Sequence, residues 1–410
     1  MVNQTNKRRV VVTGLGVVSS VGIGWQEFWK NLLAGKSGIT EVTAFDTSKH
    51  ENHLAGEVKG FRPDEFINHN KMKGLPRASQ FAIAAAQMAV KDAKLGFLDL
   101  RKTATGVTIG TTMGESQVIE QIAKHFFITQ KGFPSIRALM YPANMISVSM
   151  ANYFNIKGQN IIIGNACAAG NFAIGHSFDL IRQGVADYML TGGVDVLSRI
   201  AFSGFGRLYA MSKDKCQPFD KNRKGMMLGE GAGVLILESL ENALARGAKI
   251  YAEVLGYGVS CDANHMTHPL VRGVEQAVRK SLRDSHVDIS DVDYISAHGT
   301  GTTENDKAEC QIFHNIFGER LKRIPVSSVK SMLGHSMGAA SALEAIVCCL
   351  TIDQARIPPT INYEEKDPEC DIDCVPNVSR EHPVKIALNN SQAFGGNNGC
   401  VVFREARELK

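Results

Sequence analysis

The sequence predicts an α/β protein on buried, mainly parallel sheets, and three observations carry that prediction. Short β-branched runs alternate with longer helical stretches from one end to the other. The rhythm restarts after about residue 250 with no Pro- or Ser-rich linker, so residues 1–250 and 251–410 read as two halves around one core. Over 410 residues, 44% hydrophobic and 21% charged, the composition supplies a large core and excludes wholesale disorder, collagen and coiled coil.

The elements follow in order. RVVVTGLG reads as a strand entering a tight glycine turn, and WQEFWKNLLAG as a helix stopped by Gly35. SQFAIAAAQMAVKDAKL is an alanine-rich helix, with a TGVTIG strand and a GTTMG turn after it. QNIIIGNACAAGNFAIGHSFDLIRQG is strand, sharp turn and helix; ADYMLTGGVD and AGVLILE are further buried strands. In the second half GVEQAVRKSLRDS is a helix and VDYISAHGTGT a strand with a Gly/Thr loop. IPVSSVKSMLGHSMGAASALEAIVCCLTIDQ is strand, loop and long helix. VKIALNNSQAFGGNNGCVVFRE makes two strands around a Gly/Asn turn.

The charge balance, 45 basic against 41 acidic residues, gives +4 and no basis for nucleic acid or a membrane surface as partner. Lys7-Arg8-Arg9 before VVVTGLGVVSSVG imitates a signal peptide, but Gly14 and Gly16 interrupt the apolar run and a buried first strand explains the same letters. No apolar run of about 18 residues suggests a membrane span elsewhere. Nine cysteines without a CxxC predict free thiols in a reducing, cytoplasmic setting. Cys370, Cys374 and His382 fit no zinc spacing well, so no metal is expected.

Three motifs carry chemistry. GLGVVS departs from a dinucleotide fingerprint at its third glycine and reads as a plain turn. GHSMG, residues 334–338, fits a nucleophile elbow at Ser336, although the approach through Val329-Lys330-Ser331 is polar and loop-like; the alternative makes His335 the working residue. The third is Ile161-Ile162-Ile163 running into Gly164-Asn165-Ala166-Cys167-Ala168-Ala169-Gly170 and at once into a helix. That sets a thiol at a helix N-terminus among residues too small to cover it, where the dipole and unpaired amides favour thiolate and lower its pKa. A small buried cysteine is the bland alternative. His298, opening HGTGT, and His335, with Lys330 five residues before it, also follow apolar strands, and chemistry in α/β sheets gathers at C-terminal strand ends.

Through these motifs the chain resembles the β-ketoacyl-[acyl-carrier-protein] synthases, the condensing enzymes of fatty-acid and polyketide synthesis, most closely their type II branch. The resemblance runs end to end through RRVVVTGLGVVSSVG, GNACAAGNFAIGHSFDLIRQG, CQPFDKNRKGMMLGEGAGVLILE, DANHMTHP, AHGTGTTENDKAE, SSVKSMLGHSMGAA and AFGGNNG. It implies a thiolase-like fold of two similar βαβαβαββ halves in five α-β-α-β-α layers, with the nucleophilic cysteine in the first half and the two histidines in the second. It implies decarboxylative condensation of malonyl-carrier with an acyl chain held on Cys167. His298 and His335 match the decarboxylation pair, and Lys330, Glu309 and Glu344 their charged network. Phe394 matches the gating ring, its N–H forming an oxyanion hole with that of Cys167. Thr300 and Thr302 match threonines on the phosphopantetheine arm, and Met113, Phe205 and Gly395 fall where substrate is contacted.

No cofactor of the protein's own is implied, because the carrier brings the phosphopantetheine. The implied partners are an acidic acyl carrier protein, docking on Lys71, Lys73, Arg77 and Arg207, and either a second copy of the chain or a chain-length subunit lacking the cysteine. The gate departs from the family's SFGFGGTN: Gln392 replaces an aromatic, Ala393 a glycine and Asn397 a threonine. Ala393 is expected to restrict the backbone before the gate, and Gln392 to favour polar or unsaturated chains. The rival readings are an acyltransferase using Ser336 and a non-catalytic chain-length or scaffold subunit, the second opposed by Cys167 itself.

Overall fold

The computed structural model describes residues 7–406 except 73, 134 and 135. Ten strands form the main ladder. They are β1 Val10–Ser19, β2 Thr105–Gly110, β3 Asn160–Ile163, β4 Tyr188–Asp195 and β5 Gly231–Ser239, then β6 Ala252–Cys261, β7 Tyr294–Ser296, β8 Val326–Ser327, β9 Ile386–Ser391 and β10 Asn397–Arg404. Their order is β8-β7-β9-β10-β6-β1-β5-β4-β2-β3. Read outward from the centre, β6-β10-β9-β7-β8 repeats β1-β5-β4-β2-β3. Each set has two parallel pairings at its outer end and antiparallel ones inside, and the sets join where Val10, Val11 and Val12 face Val254, Glu253 and Ala252.

The sheet is therefore mixed, not mainly parallel as the helix alternation suggested. The reason lies in the connections: β9 and β10 form a tight Gly/Asn turn, and β4 reaches β5 through the long excursion 196–230, so both pairs run antiparallel.

Helices fill three layers. The principal ones are α1 Arg77–Asp92, α2 Ser116–Thr129, α3 Asn144–Phe154, α4 Ala169–Arg182, α5 Arg199–Arg207, α6 Val271–Ser285, α7 Thr303–Phe317 and α8 Ala340–Gln354. Helices α1 and α3 cover the first half-sheet and α6 with α7 the second, while α4 and α8 lie between the two and pack on both. Every residue of α8 from Ala340 to Ile352 is buried, which explains why its sequence lacks a polar face. The segment Met337–Gln354 is the one helix among the described residues apolar and long enough to cross a membrane, and it is this central core helix.

Strand β1 corrects the expected glycine turn. It continues through Gly14 and Gly16 to Ser19. A Cβ on Gly14 would fall 2.2 Å from the Ala89 carbonyl oxygen, and one on Gly16 1.8 Å from that of Ala85. The two glycines let α1 lie against the sheet through its alanine face.

Candidate active site

Cys167 is presented by a strained turn. The chain leaves β3 and passes Ala166 at φ +45°, a left-handed conformation costly for a residue with a Cβ, then enters one 3-10 turn and α4. Neighbours must be small: a Cβ on Gly170 would meet the Ala342 nitrogen of α8 at 2.7 Å. The Cys167 carbonyl accepts the hydroxyls of Ser341 and Ser391, both at 3.1 Å, and Asn171 and Asn389 tie α4 to β9 and α8.

The second half repeats this geometry with different residues. Met337 takes φ +52° and opens one 3-10 turn ahead of α8, so Gly338 occupies the place that Cys167 has in the first half. Ser336 falls one step before the strained residue. Its hydroxyl is buried, has no hydrogen-bond partner among the described residues, and does not line the cavity that reaches Cys167. The nucleophile-elbow alternative has no geometric support.

The two histidines meet at Cys167. His298 follows β7 and Ala297; His335 follows the short helix Lys330–Leu333 and not, as expected, a strand, with its N–H donating to the Met227 carbonyl at 2.6 Å. Their ring centroids are 5.3 Å apart, and both rings line a cavity of about 380 Å³ with Cys167, Thr300, Thr302, Phe205, Gln392 and Phe394. Met337 N–H donates to His335 Nδ1 at 3.2 Å, and the Lys330 ammonium points at His298 Nδ1 from 3.4 Å. Each ring thus keeps its proton on Nε2.

Lys330 is buried, bonded to the His298 carbonyl at 2.7 Å and ion-paired with Glu344. Glu309 holds the His298 loop, accepting N–H of His298 at 2.7 Å and of Gly299 at 2.8 Å, with Asn390 as third donor.

Burial dominates the electrostatics. It pushes the Cys167 thiol up to about 12, against the Lys330 charge and the backbone N–H groups of Phe394 and Cys167 that favour the thiolate. The expected lowering by the helix N-terminus is outweighed in the resting pocket. Burial, then the Lys330 charge, holds both histidines well below 6.5, so they are neutral donors at pH 7. Burial lifts Glu309 and Glu344 to about 7 each, with Lys330 opposing at Glu344.

The gate is in one defined position. The Phe394 ring stacks on Phe205 at 5.6 Å and 27°, and Gly395 N–H donates to the Met266 carbonyl. Ala393 sits at φ −138°, ψ 150°, ordinary extended backbone, so its methyl costs nothing here. The left-handed positions are Gly395 and Gly396, at φ +82° and +79°. Met113 does not line the cavity; it packs in a cluster with Phe202, Met211, Met226 and Met337 to which Phe205 also belongs.

The expected docking cations separate. Arg77 turns inward to a bidentate pair with Glu230, whose side chain is 1% exposed, and lies over the Phe81 ring. This is a correction: a buried carboxylate 153 residues away claims the guanidinium. Lys71 is exposed and bonded to the Tyr153 carbonyl; Lys73 lies outside the described residues. Arg207 is exposed at the end of α5 beside Leu208 and Tyr209, which line the cavity mouth with Lys224.

Cys370 and Cys374 are buried in an apolar cluster with Cys310 and Phe313. Among the described residues no group of three or more His, Cys, Asp or Glu side chains is placed to hold a metal ion.

Sequence reasoning missed two carboxylates. Asp306 accepts N–H of Thr300, Gly301 and Phe219; Asp195 accepts Thr111 Oγ1 and N–H of Thr112, Met113 and Gly338. Asp306 stands three residues before Glu309, a same-face spacing that could have flagged it. Asp195 ends a strand with no such signal.

A cysteine offered to a thioester, with neutral imidazole N–H groups aimed into the same cavity, is the equipment of enzymes that make carbon–carbon bonds through an acyl-cysteine. On a duplicated five-layer frame that class is the thiolase-like condensing enzymes. Comparison with known proteins narrows it. Residues 7–243 match the family model "Beta-ketoacyl synthase, N-terminal domain" and residues 251–364 "Beta-ketoacyl synthase, C-terminal domain". The chain belongs to the β-ketoacyl synthase family.

It is 41% identical over 411 residues to 3-oxoacyl-[acyl-carrier-protein] synthase 2 of Synechocystis sp., covering 97% of this chain and 98% of the relative. It is 38% identical over 412 residues to the Staphylococcus aureus N315 protein of the same name, covering 98% and 99%. Among solved structures, the ishigamide ketosynthase/chain length factor superposes with a TM-score of 0.94 at 45% identity, over 97% of this chain and 99% of that one. A type II PKS ketosynthase in complex with its acyl-carrier protein and bound to the hexaketide gives 0.89 at 34%, over 97% and 100%.

Proposed function

We propose that the protein condenses malonyl-carrier with an acyl chain bound to Cys167, as the ketosynthase of a specialised type II polyketide system. The observation that carries the chemistry is the convergence of Cys167 with the Nε2–H groups of His298 and His335 in one cavity.

Cys167 sulfur attacks the acyl thioester, and its proton leaves with the departing phosphopantetheine thiolate. Backbone N–H groups of Cys167 and Phe394, close enough to the sulfur to favour its thiolate, hold the tetrahedral oxyanion. Malonyl thioester then loses CO₂; the pair from the broken C–C bond forms an enolate whose oxygen takes both Nε2–H donors. The enolate carbon attacks the acyl carbonyl, and the Cys167 thiolate is expelled and reprotonated from solvent. These steps use side chains and backbone N–H groups of this chain together with the carrier's own arm.

Neutral imidazoles set the pH dependence. Because both pKa values are pushed down, protonation, and with it loss of oxyanion donors, comes only well below pH 6.5. Malonyl decarboxylation by a Cys167→Gln variant should lose no imidazole donor between pH 8 and 6.5, and any change there belongs to Glu309 and Glu344, which titrate near 7. An acid limb at or above 6.5 that persists in Glu309→Gln and Glu344→Gln variants would reject the neutral pair.

The carrier docks at the cavity mouth through Arg207 and Lys224, with Lys71 as an outlying contact. Charge reversal of Arg207 and Lys224 together should raise the apparent KM for carrier substrates about tenfold at low salt and less at high salt. Reversal of Arg77 should instead lower stability, since it strands Glu230. An unchanged KM after reversal removes the docking assignment.

Helix α2 supplies a surface for a second subunit: Ile119, Phe126, Phe127 and Ile128 are exposed on it. The similarity to a ketosynthase/chain length factor favours a heterodimer with a chain-length partner over a homodimer. The test is product profiling with malonyl-carrier and a panel of acyl-carriers, with and without candidate partners. Keto-bearing or unsaturated chains should be extended at least as well as saturated ones. Efficient elongation of saturated chains alone, by the isolated protein, would assign it to ordinary fatty-acid synthesis.

A further inference from the structure

Gln392 follows β9 directly, after Ser391, whose hydroxyl is bonded to the Cys167 carbonyl. Gln392 is one of the residues that line the cavity with Cys167, His298, Thr300 and Thr302, and it is 3% exposed. Neither Nε2 nor Oε1 has a hydrogen-bond partner among the described residues. A buried amide whose donor and acceptor are both unmet by the protein is costly, and such groups are satisfied by something that binds there, either ordered water or a ligand group that displaces it.

The two unmet atoms limit what that something is. A hydrocarbon chain offers neither a donor nor an acceptor. A malonyl carboxylate or a keto group only accepts, leaving Oε1 unpaired, and the enolate oxygen already has two imidazole donors. A secondary amide offers N–H and C=O together. The phosphopantetheine arm carries two such amides and must cross this cavity to reach Cys167.

We propose that Gln392 is a binding residue for an amide of the carrier's phosphopantetheine arm. This rests on the carrier-dependent reading above and assigns the polar gate residue to the arm, not to the acyl chain. Thr300 and Thr302, whose hydroxyls are 2.9 Å apart, line the same cavity.

The test compares wild type with Gln392→Met, which keeps the length of the side chain and removes its hydrogen bonds. Two malonyl thioesters are used, one of N-acetylcysteamine and one of O-acetyl-2-mercaptoethanol, which has an ester in place of the amide. Wild type should prefer the amide about three- to tenfold in kcat/KM, the range of one uncharged hydrogen bond. Gln392→Met should lose that preference through KM, with kcat held.

A preference that survives in Gln392→Met overturns the assignment, as does a fall in kcat equal for both thioesters. A second measurement does not depend on turnover: in a Cys167→Ala background, pantetheine affinity by calorimetry should weaken about three- to tenfold on Gln392→Met, and unchanged affinity rejects the proposal. Wild type that releases no CO₂ from any malonyl thioester while pantetheine binding still responds to Gln392 would fault the condensation reading alone. Matching melting temperatures of the variants confirm that the comparison is between folded proteins.

Discussion

Replacing Cys167 with alanine is expected to abolish acyl transfer and condensation, because among the described residues no other thiol lines the cavity. Ser336 is buried outside it, and the second-half counterpart of Cys167 is Gly338. The glutamine variant separates the two half-reactions. A Cys167→Gln side chain cannot form a thioester, yet its amide imitates the acyl group, leaving His298 and His335 free to act on malonyl-carrier. CO₂ release should continue while carbon–carbon bond formation is undetectable. Incubating wild type with acyl-carrier and mapping the adduct by mass spectrometry checks the premise. Acyl label on Ser336 with Cys167 unmodified would return the protein to the acyltransferase reading.

The histidines are expected to give the second largest effect. In the proposed mechanism each donates one Nε2–H to the same developing oxyanion, and losing one such donor costs about 10²–10³-fold in rate. His298→Ala or His335→Ala should therefore depress CO₂ release by that factor while acyl transfer to Cys167 persists. The two variants should differ in one respect. His298 is the ring next to Lys330, so its removal also takes a neighbour from a buried ammonium that retains Glu344 and the residue-298 carbonyl. Its variant should lose more thermal stability than His335→Ala. Undiminished CO₂ release in both variants refutes their roles.

Much of this site is legible in the amino-acid sequence, and the boundary of legibility has a physical pattern. Cys167 can be read because everything that presents it is local: three isoleucines, a turn of small residues, and a helix. The histidine loops are legible for the same reason, and Glu309 through the family resemblance. Long-range partners are not. Arg77 looks like a surface cation until Glu230 arrives from across the fold, and Asp195 looks like a strand-end acid until four donors from two loops converge on it. The direction of the thiol pKa escapes the sequence for a related reason. A helix N-terminus is visible in a sequence, whereas the completeness of burial around it depends on Ser341, Asn389 and Ser391, all far along the chain. The mixed sheet is hidden because helix alternation reports crossovers and says nothing of the inner pairs, which need none.

The central layer sets a timetable for biosynthesis. Helix α4 emerges from the ribosome with β1 to β5, yet the face it turns to α8 has no cover until residues 340–354 have been made. The contacts that fix the nucleophile turn come later still, from β9 and β10 at the end of the chain. A nascent first half is thus an apolar surface waiting for its lid, the kind of exposed intermediate that chaperones retain. Termination between about residues 170 and 390 is expected to leave an aggregation-prone fragment that carries Cys167 without the late contacts that fix its turn.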